Sequence, residues 1–377
     1  PGEYATIAAA VNVAGDGDVV NIAAGTYHEY DLQVGGAITI QGAVDSNGSP
    51  LTTIDAQQAG RVFEINLTNL TGEVVIKDLV ITGGQHGDGG GIDISNDSNS
   101  GEVRVTGCRI VGNTTGGFGG GIRCGPDATI TIVDCTVSGN TSERGGGGLY
   151  LAGATGTISN CRFLNNHQLA TQPWWQGGGG ISASTSQLSV SDCVIFGNTA
   201  GSNGGGISAT SGNGVITDCT ISGNRGALAG PGTSAEGGGG LSFRVGTYTV
   251  DNCGIIGNDS GATGGGLYAG HLTTVTVMDC IVSGNTAQSE WNGAGPGTGG
   301  ISLWVNPSGP NNNESITVSD STVCGNSPDQ CNVASCSGNN NTVKPNCGDT
   351  DGDSYNDDVD AFPLDTTEWV DTDGDGI

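Results

Sequence analysis

The stretch from residue 119 to residue 140, Gly-Gly-Gly-Ile-Arg-Cys-Gly-Pro-Asp-Ala-Thr-Ile-Thr-Ile-Val-Asp-Cys-Thr-Val-Ser-Gly-Asn, decides the fold. It contains a glycine run closed by an aliphatic residue and then the motif Cys-x-aliphatic-x-x-Asn, and both recur along the chain at spacings of 26 to 34 residues. The glycine runs close on Ile92, Ile122, Leu149, Ile181, Ile207, Leu241, Leu267 and Ile301, and the second motif begins at Cys108, Cys135, Cys161, Cys193, Cys219, Cys253 and Cys280. Two motifs in fixed phase indicate a repeat protein.

The segments between the motifs predict strands. Residues 128–134, 187–192 and 273–279 alternate aliphatic or β-branched residues with small polar ones, which is the period of two expected of strands. We therefore expect an all-β fold, a right-handed parallel β-helix of about ten coils stacked at about 4.8 Å. Glycines would form its tight corners, the recurring Asn would satisfy buried backbone groups, and the seven cysteines would form an inward ladder of free thiols. Cys124 lies outside that ladder and receives no assignment.

The two ends of the repeat have their own signals. Residues 1–16 predict a capping helix, with Ile7, Ala10, Val11 and Ala14 on one face to cover the first coil. The β-helix would span residues 17–323, and residues 324–347 would form a cysteine-rich cap. The cysteines of this cap are Cys324, Cys331, Cys336 and Cys347. Four cysteines allow three connectivities, of which we favour Cys324–Cys347 enclosing Cys331–Cys336, and disulfides indicate an oxidising, extracytoplasmic setting.

The charge balance excludes several classes of partner. The chain has 38 acidic residues against 10 Lys plus Arg, a net charge of -28. A nucleic-acid binder needs clustered Lys and Arg, so we expect no nucleic-acid partner. No apolar run approaches the roughly 20 residues of a membrane helix, so we expect no membrane insertion in this segment.

The acidic tail, residues 348–377, predicts calcium binding. Carboxylates at loop positions 1, 3, 5, 9 and 12 and a backbone carbonyl at position 7 have the spacing of EF-hand-type loops. These ligands would be Asp349, Asp351, Asp353, Tyr355, Asp357 and Asp360, and the motif restarts at Asp371, Asp373 and Asp375. The alternative is a solvated acidic linker without Ca²⁺.

Several stretches carry family resemblances. The opening helix with residues 15–27, 38–42 and 53–63 resembles the first turns of pectate-lyase-like right-handed β-helix proteins. The repeats are similar to those of polymorphic outer-membrane-type surface proteins, whose Phe-x-x-Asn motif matches residues 163–166, and the tail resembles thrombospondin type 3 repeats. The resemblance implies an extracellular or cell-surface, bacterial protein with a calcium-stiffened stalk. It also implies that polysaccharide lyases, esterases and epimerases share the fold.

One corner of the repeat predicts a contact surface. The loops between the motif Asn and the next glycine run alternate between long and short, and the long ones would stack on every second coil. They carry Trp174, Trp175, Glu236, Glu290 and Trp291. We expect a binding ridge for a glycan or a neighbouring subunit, as in a homo-polymer. The alternative is that the Trp rings only cover glycine-rich loops.

A catalytic constellation is not visible in the sequence. The arginines fall at scattered phases of the repeat, the four histidines share no motif, and the aspartates before the ladder cysteines look like a structural column. We therefore expect a non-enzymatic structural or adhesive protein, such as an adhesin or a subunit of an extracellular fibre. The alternative is a polysaccharide-active β-helix enzyme: a groove with convergent carboxylates and an arginine would favour it, whereas a ridge or end-to-end packing would favour the structural role.

Overall fold

The structure is a computed structural model that describes residues 3–68, 70, 72–95, 101–169, 177–227, 237–288, 297–304, 314–333, 336 and 340–344. Within these residues the chain forms one helix and a long succession of short strands. The helix is α1 Ile7–Val13. The strands are β1 Val19–Asn21, β2 Gly25–Tyr27, β3 Leu32–Val34, β4 Thr39–Gln41, β5 Thr52–Asp55, β6 Phe63–Asn66, β7 Glu73–Lys77, β8 Val80–Thr82, β9 Gln85–His86, β10 Ile92–Ser95, β11 Glu102–Thr106, β12 Arg109–Val111, β13 Thr114–Thr115, β14 Ile122–Cys124, β15 Thr129–Val133, β16 Thr136–Ser138, β17 Thr141–Ser142, β18 Leu149–Ala152, β19 Thr155–Ser159, β20 Arg162–Leu164, β21 His167–Gln168, β22 Ile181–Ser184, β23 Gln187–Ser191, β24 Val194–Phe196, β25 Thr199–Ala200, β26 Ile207–Thr217, β27 Thr220–Ser222, β28 Arg225–Gly226, β29 Leu241–Asp251, β30 Gly254–Ile256, β31 Asp259–Ser260, β32 Leu267–Met278, β33 Ile281–Ser283, β34 Thr286–Ala287, β35 Ile301–Leu303, β36 Ser315–Ser319, β37 Thr322–Cys324 and β38 Thr342–Lys344.

Each turn of the chain passes through three parallel sheets of 18, 12 and 8 strands, called here sheets 1, 2 and 3. A representative turn contributes β14 and β15 to sheet 1, β16 to sheet 2 and β17 to sheet 3. The next turn places β18, β19, β20 and β21 beside them in parallel. In β26, β29 and β32 the two sheet 1 segments join into single strands of 11, 11 and 12 residues. The predicted parallel β-helix is confirmed, with a number of turns close to the ten expected.

The core consists of columns in which one residue of each turn stacks on its equivalent in the next turn. Ile92, Ile122 and Leu149, which close successive glycine runs, are aligned in register and fully buried. Cys124 lies in the next inward column, between Ile94 and Leu151. The cysteine without an assignment is therefore a core filler, which a thiol suits because it behaves as a small apolar group.

The motif asparagines form a hydrogen-bonded ladder between sheets 2 and 3. Asn198 Nδ2 donates to the Phe163 carbonyl oxygen at 2.7 Å and to Asn224 Oδ1 at 3.0 Å. Asn198 Oδ1 accepts from the backbone N and Nδ2 of Asn166, both at 2.9 Å. The ladder runs through Asn113, Asn140, Asn166, Asn198, Asn224, Asn258, Asn285 and Asn326 and ends on Gln330 Oε1. The buried corner is thereby satisfied on the turns from Asn113 to Asn326.

The aspartates before the ladder cysteines have a backbone role. Asp134, Asp192, Asp218 and Asp279 have φ between 51° and 54°. This left-handed region is tolerated by Asp and Asn far better than by most residues. Asn160 occupies the position in the turn after Asp134, and its Nδ2 donates to Asp134 Oδ1 at 2.6 Å. The column is structural, as its recurrence predicts.

The seven motif cysteines form the inward ladder expected of them. All seven are buried and free. The backbone N of Cys108 donates to Cys135 Sγ at 3.3 Å, and that of Cys135 donates to Cys161 Sγ at 3.4 Å. Burial raises the pKa of the Cys135 thiol well above its ordinary value, so this thiol is protonated and unreactive at neutral pH.

The glycine runs permit close approach of successive turns. A Cβ on Gly120 would lie 2.5 Å from the Gly147 carbonyl oxygen and 2.6 Å from that of Thr141. No side chain fits there without separating the turns. The repeated glycines are therefore a steric requirement of this corner, in addition to any positive φ.

The ends of the β-helix are closed by different devices. Helix α1 buries Ile7 and Val11, and its first N–H groups, from Ile7 and Ala8, donate to the Glu29 carboxylate at 2.8 and 2.9 Å. The predicted capping helix is present but shorter than residues 1–16. At the other end, the structure contains a Cys331–Cys336 disulfide. Cys324 is also disulfide-bonded, whereas Cys347 lies outside the described residues.

Candidate active site

In sheet 1, an outward-facing column is formed by the residue that follows the aliphatic residue closing each glycine run, and by its partners in the other turns. Its members pair in register along the axis, and charged residues occupy only the N-terminal turns, after which serine dominates. The column consists of Gln33, Glu64, Asp93, Arg123, Tyr150, Ser182, Ser208, Ser242, Tyr268 and Ser302. The chemistry of this face is therefore concentrated near one end.

Asp93 is a buried carboxylate held between two arginines. Asp93 Oδ2 lies 2.5 Å from Arg61 Nη1, and Asp93 Oδ1 lies 2.8 Å from Arg123 Nη1. The side chains of Asp93 and Arg61 are 7% and 8% exposed, and that of Arg123 is 25% exposed. Buried ion pairs contribute little to stability relative to apolar residues, so this Arg–Asp cluster of Arg61, Asp93 and Arg123 is a functional-site candidate.

Arg61 joins further polar groups to the cluster. Arg61 Nη2 donates to His86 Nδ1, and Arg61 Nη1 lies 3.6 Å from the Glu64 carboxylate. Glu64 Oε2 in turn accepts from Gln33 Nε2 at 2.8 Å. Arg61 Nε is buried without a hydrogen-bond partner in the described part of the chain. An exposed imidazole thus lies next to a buried, incompletely satisfied guanidinium.

An aromatic pair flanks the cluster. The Phe118 and Tyr150 rings stack with centroids 4.4 Å apart and an interplanar angle of 25°. The guanidinium carbon of Arg144 lies 5.9 Å from the Phe118 centroid. Tyr150 pairs in register with Arg123, so the aromatic surface directly adjoins the cluster. Apolar ring faces beside cations and a phenol form an amphipathic platform.

The electrostatics of this region differ from those of the whole chain. Seven of the 10 Lys plus Arg residues lie between residues 61 and 162, although the net charge is -28. These seven are Arg61, Lys77, Arg104, Arg109, Arg123, Arg144 and Arg162. Ten Asp or Glu residues share this segment, so its own net charge is -3, and positive charge is available only locally, at side chains such as Arg61 and Arg123.

Two ionisable groups at the site have shifted pKa values. Burial opposes the charge of Arg123, but the hydrogen bond to Asp93 and the carboxylate charges of Asp93 and Asp88 leave the pKa of Arg123 raised. Burial raises the pKa of Tyr150, against the hydrogen bond from Ser184 and the charge of Arg123. Arg123 is therefore a permanent cation, and the Tyr150 phenol is a proton donor at neutral pH.

Most site residues that the sequence suggested lie outside the described residues. This holds for the binding ridge, Trp174, Trp175, Glu236, Glu290 and Trp291, and for the calcium ligands Asp349, Asp351, Asp353, Tyr355, Asp357, Asp360, Asp371, Asp373 and Asp375. In the residues that the structure does describe, no group of three or more His, Cys, Asp or Glu side chains is arranged to hold a metal ion. The calcium prediction stays a prediction.

The sequence interpretation missed the Arg–Asp cluster because it compared residues of one type. Arg61 and Arg123 occupy different phases of the repeat, and His86 shares no motif, yet all three converge around Asp93. A usable signal was present: Asp93, Arg123 and Tyr150 each follow the aliphatic residue that closes a glycine run. Aligning that position across the repeats predicts their column.

The fold is a parallel β-solenoid, and the charged residues of its outward-facing column, Glu64, Asp93 and Arg123, lie near the N-terminal end. The family described as the right-handed β-helix region matches residues 63–244 and 120–348, and the chain belongs to this family. The predicted right-handedness is thereby confirmed. No curated protein matches the chain by sequence. No helix in the described residues is long and apolar enough to cross a membrane.

Several solved structures are similar to this chain. Pectate lyase Pel9A is 15% identical with a TM-score of 0.44, covering 88% of this chain and 76% of the lyase. The A-module of the Azotobacter vinelandii mannuronan C-5 epimerase AlgE4 is 11% identical with a TM-score of 0.45, covering 89% and 90%. A mannuronic acid specific family 6 polysaccharide lyase from human gut microbiota is 10% identical with a TM-score of 0.43, covering 88% and 82%. These likenesses describe the fold alone.

The prediction that the chain is not an enzyme requires correction. Its stated reason was that arginines and carboxylates do not converge. Arg61, Arg123 and Asp93 do converge, with His86 and Tyr150 beside them.

Proposed function

We propose that this protein is an extracellular, polysaccharide-active β-helix enzyme that binds an acidic glycan at the Arg–Asp cluster. The observation that carries the proposal is the buried Asp93 carboxylate, held by Arg61 and Arg123 in the segment that contains most of the chain's Lys and Arg. Asp93 fixes both guanidinium groups, while Arg123 is exposed enough to contact a ligand. Preorganised cations of this kind stabilise negative charge that develops during a reaction.

The surrounding groups supply the remaining requirements. A reaction at a uronate sugar needs a cation for the carboxylate and groups that move a proton at the adjacent carbon. Arg123 provides the cation, and His86 and Tyr150 are side-chain types that transfer protons. The Phe118 and Tyr150 rings offer a face for a sugar ring. This set favours elimination or epimerisation of a uronate over attack by a paired carboxylate.

The test is activity on a panel of polymers with matched variants. The full chain is incubated with polygalacturonate, alginate and, as a neutral polymer, a β-glucan. Unsaturated products are followed by ultraviolet absorbance and epimerised residues by proton NMR. We expect turnover of an acidic polymer only, and a loss of about a hundredfold or more in Arg123→Ala. His86→Ala tests the proton-transfer role.

Arg225→Ala is the control, because Arg225 pairs with Asp259 at 3.1 Å on sheet 3, away from the cluster. It should retain wild-type turnover. Binding of an acidic polymer without any product would refute the enzymatic proposal and return the protein to the adhesive role. Equal losses in Arg123→Ala and Arg225→Ala would refute the assignment of the site.

The calcium tail belongs to this proposal as a separate part. We propose that residues 349–360 and 371–375 bind Ca²⁺ and stiffen the segment that follows the β-helix. The support is the ligand spacing in the sequence and a run of eleven acidic residues without a Lys or Arg.

A further inference from the structure

The outward face of sheet 1 contains a trough that is separate from the Arg–Asp cluster. It lies across β19, β23, β26 and β29 and has a volume of about 490 Å³. Its lining consists of Thr155, Gly156, Thr157, Gln187, Leu188, Ser189, Asn213, Gly214, Val215, Thr247 and Thr249. All of these residues belong to the described part of the chain, and nothing in the proposed reaction uses them.

Two glycines contribute backbone to the strip of sheet between the two outward columns of the trough. Gly156 and Gly214 occupy the inward column that holds Ile130, Leu188 and Tyr248 in neighbouring turns. A Cβ on Gly156 would lie 2.5 Å from Leu151 Cδ1, and one on Gly214 would lie 3.0 Å from Tyr248 Cδ1. The Leu151 and Tyr248 side chains therefore fill the core in place of the missing ones, and the two glycine backbones form the floor of the trough.

The trough is uncharged although the chain is strongly acidic. Toward the N-terminal end its two outward columns contain charged residues, and Glu73 and Arg104 form an ion pair there at 2.9 Å. From Thr129 and Thr131 onward, both columns contain no charged residue through Ser315 and Thr317. Over seven successive turns these two columns therefore present hydroxyl, amide and apolar groups to a ligand and no ionic group, although the chain has 38 acidic residues.

We propose that this trough binds a chain of uncharged sugar residues. Glycine backbone, Val215 and the threonine methyl groups offer apolar contact to the faces of the rings. Hydroxyl and amide groups of Thr157, Gln187, Ser189 and Asn213 offer donors and acceptors to sugar hydroxyls. The four strands repeat at about 4.8 Å, so the trough runs along the axis and suits an extended oligosaccharide. An acidic glycan would find no cation there.

This binding site goes beyond the proposed reaction and does not depend on it. The Arg–Asp cluster would act on acidic residues, whereas the trough would hold neutral ones, either in the same polymer or in a second one. A neutral-sugar site is therefore testable by binding alone, without turnover.

The experiment measures binding of cellohexaose, mannohexaose, xylohexaose and hexagalacturonate to the full chain by titration calorimetry and NMR. Ser189→Trp and Thr157→Trp block the trough from two exposed positions. Thr317→Trp is the matched control, because Thr317 is an exposed residue of the same column outside the trough. Circular dichroism and thermal unfolding verify that each variant is folded.

We expect at least one neutral hexasaccharide to bind, with affinity reduced about tenfold or more in both blocking variants, which is about 1.4 kcal/mol. Thr317→Trp should bind within about twofold of wild type, and Arg123→Ala should bind the neutral ligand normally even if it has lost turnover. Absence of binding for every neutral probe would overturn the proposal, as would equal affinities in the blocked and control variants. An effect of the blocks on hexagalacturonate alone would overturn its neutral specificity.

Discussion

Removal of the Asp93 carboxylate should destabilise the protein strongly. In Asp93→Ala, Arg61 keeps its place at 8% exposure and loses its closest counter-charge, while Glu64 lies 3.6 Å away. Leaving a buried charge without its partner costs about 3–5 kcal/mol. The Arg123 side chain is 25% exposed and can rotate into the solvent, so its loss of the Asp93 partner adds little to the destabilisation. The loss of stability therefore arises mainly from Arg61.

Urea denaturation followed by circular dichroism measures this loss. With a slope of about 3 kcal/mol per molar, the midpoint should fall by about 1 to 1.7 M. Glu73→Ala is the control, because it breaks the Glu73–Arg104 pair, whose side chains are 33% and 43% exposed, at a cost of about 0–1 kcal/mol. The double variant Arg61→Met with Asp93→Leu should recover most of the stability, since apolar residues replace both charges.

An Asp93→Ala variant as stable as Glu73→Ala would contradict this expectation. That outcome would mean that Arg61 reaches water or Glu64 without cost. The Arg–Asp cluster would then not be the tightly held, desolvated group on which the proposed function depends.

Three further predictions follow from other features. In urea denaturation, Asn198→Ala should lower the free energy of unfolding by about 2–4 kcal/mol, because it deprives the buried Asn166 N–H and the Phe163 carbonyl of hydrogen-bond partners. The control Ser189→Ala, on the exposed face, should change stability by less than about 0.5 kcal/mol. Equal effects of the two substitutions would contradict the role of the asparagine ladder. Burial raises the pKa of Cys124 to about 12 from 9.0 and that of Tyr248 to about 12 from 10.0, so their contribution to stability is complete below pH 9.0 and is lost as the pH rises through 12. Unfolding midpoints measured between neutral pH and pH 12 should therefore fall, less steeply in Cys124→Val, and a flat profile above pH 9.0 would be inconsistent with buried neutral thiols. Titration calorimetry of the full chain with Ca²⁺ should show binding that Asp349→Ala with Asp353→Ala abolishes, and absence of heat in the wild type would identify the tail as an acidic linker.

The sequence predicted those features of the fold that every turn repeats. Stacked columns make the role of each motif visible many times over, so the Asn ladder, the thiol ladder and the structural role of the aspartate column could be inferred from spacing. The Arg–Asp cluster could not be inferred in the same way. Asp93 occurs once, and its partners Arg61 and Arg123 come from the preceding and following turns at unlike positions of the repeat.

The trough escaped prediction for a related reason. Gly156 and Gly214 look like ordinary strand interruptions in the sequence, because their effect depends on which neighbouring side chains fill the space. Leu151 does so from another strand position, and Tyr248 does so from the next turn. A property that depends on packing between turns is not contained in the pattern of any single turn.

The asparagine ladder has a consequence for how this chain can change in length. Each rung bonds only to its immediate neighbours, and Gln330 terminates the series with the same kind of amide oxygen that every rung presents. For the contacts of this ladder, whole turns are therefore interchangeable: a duplication or deletion of one complete turn within it re-forms the same hydrogen bonds at the junction, whereas removal of a few residues breaks them. The length of the β-helix can therefore change in steps of one whole turn, and the separation of its two ends changes by the same steps.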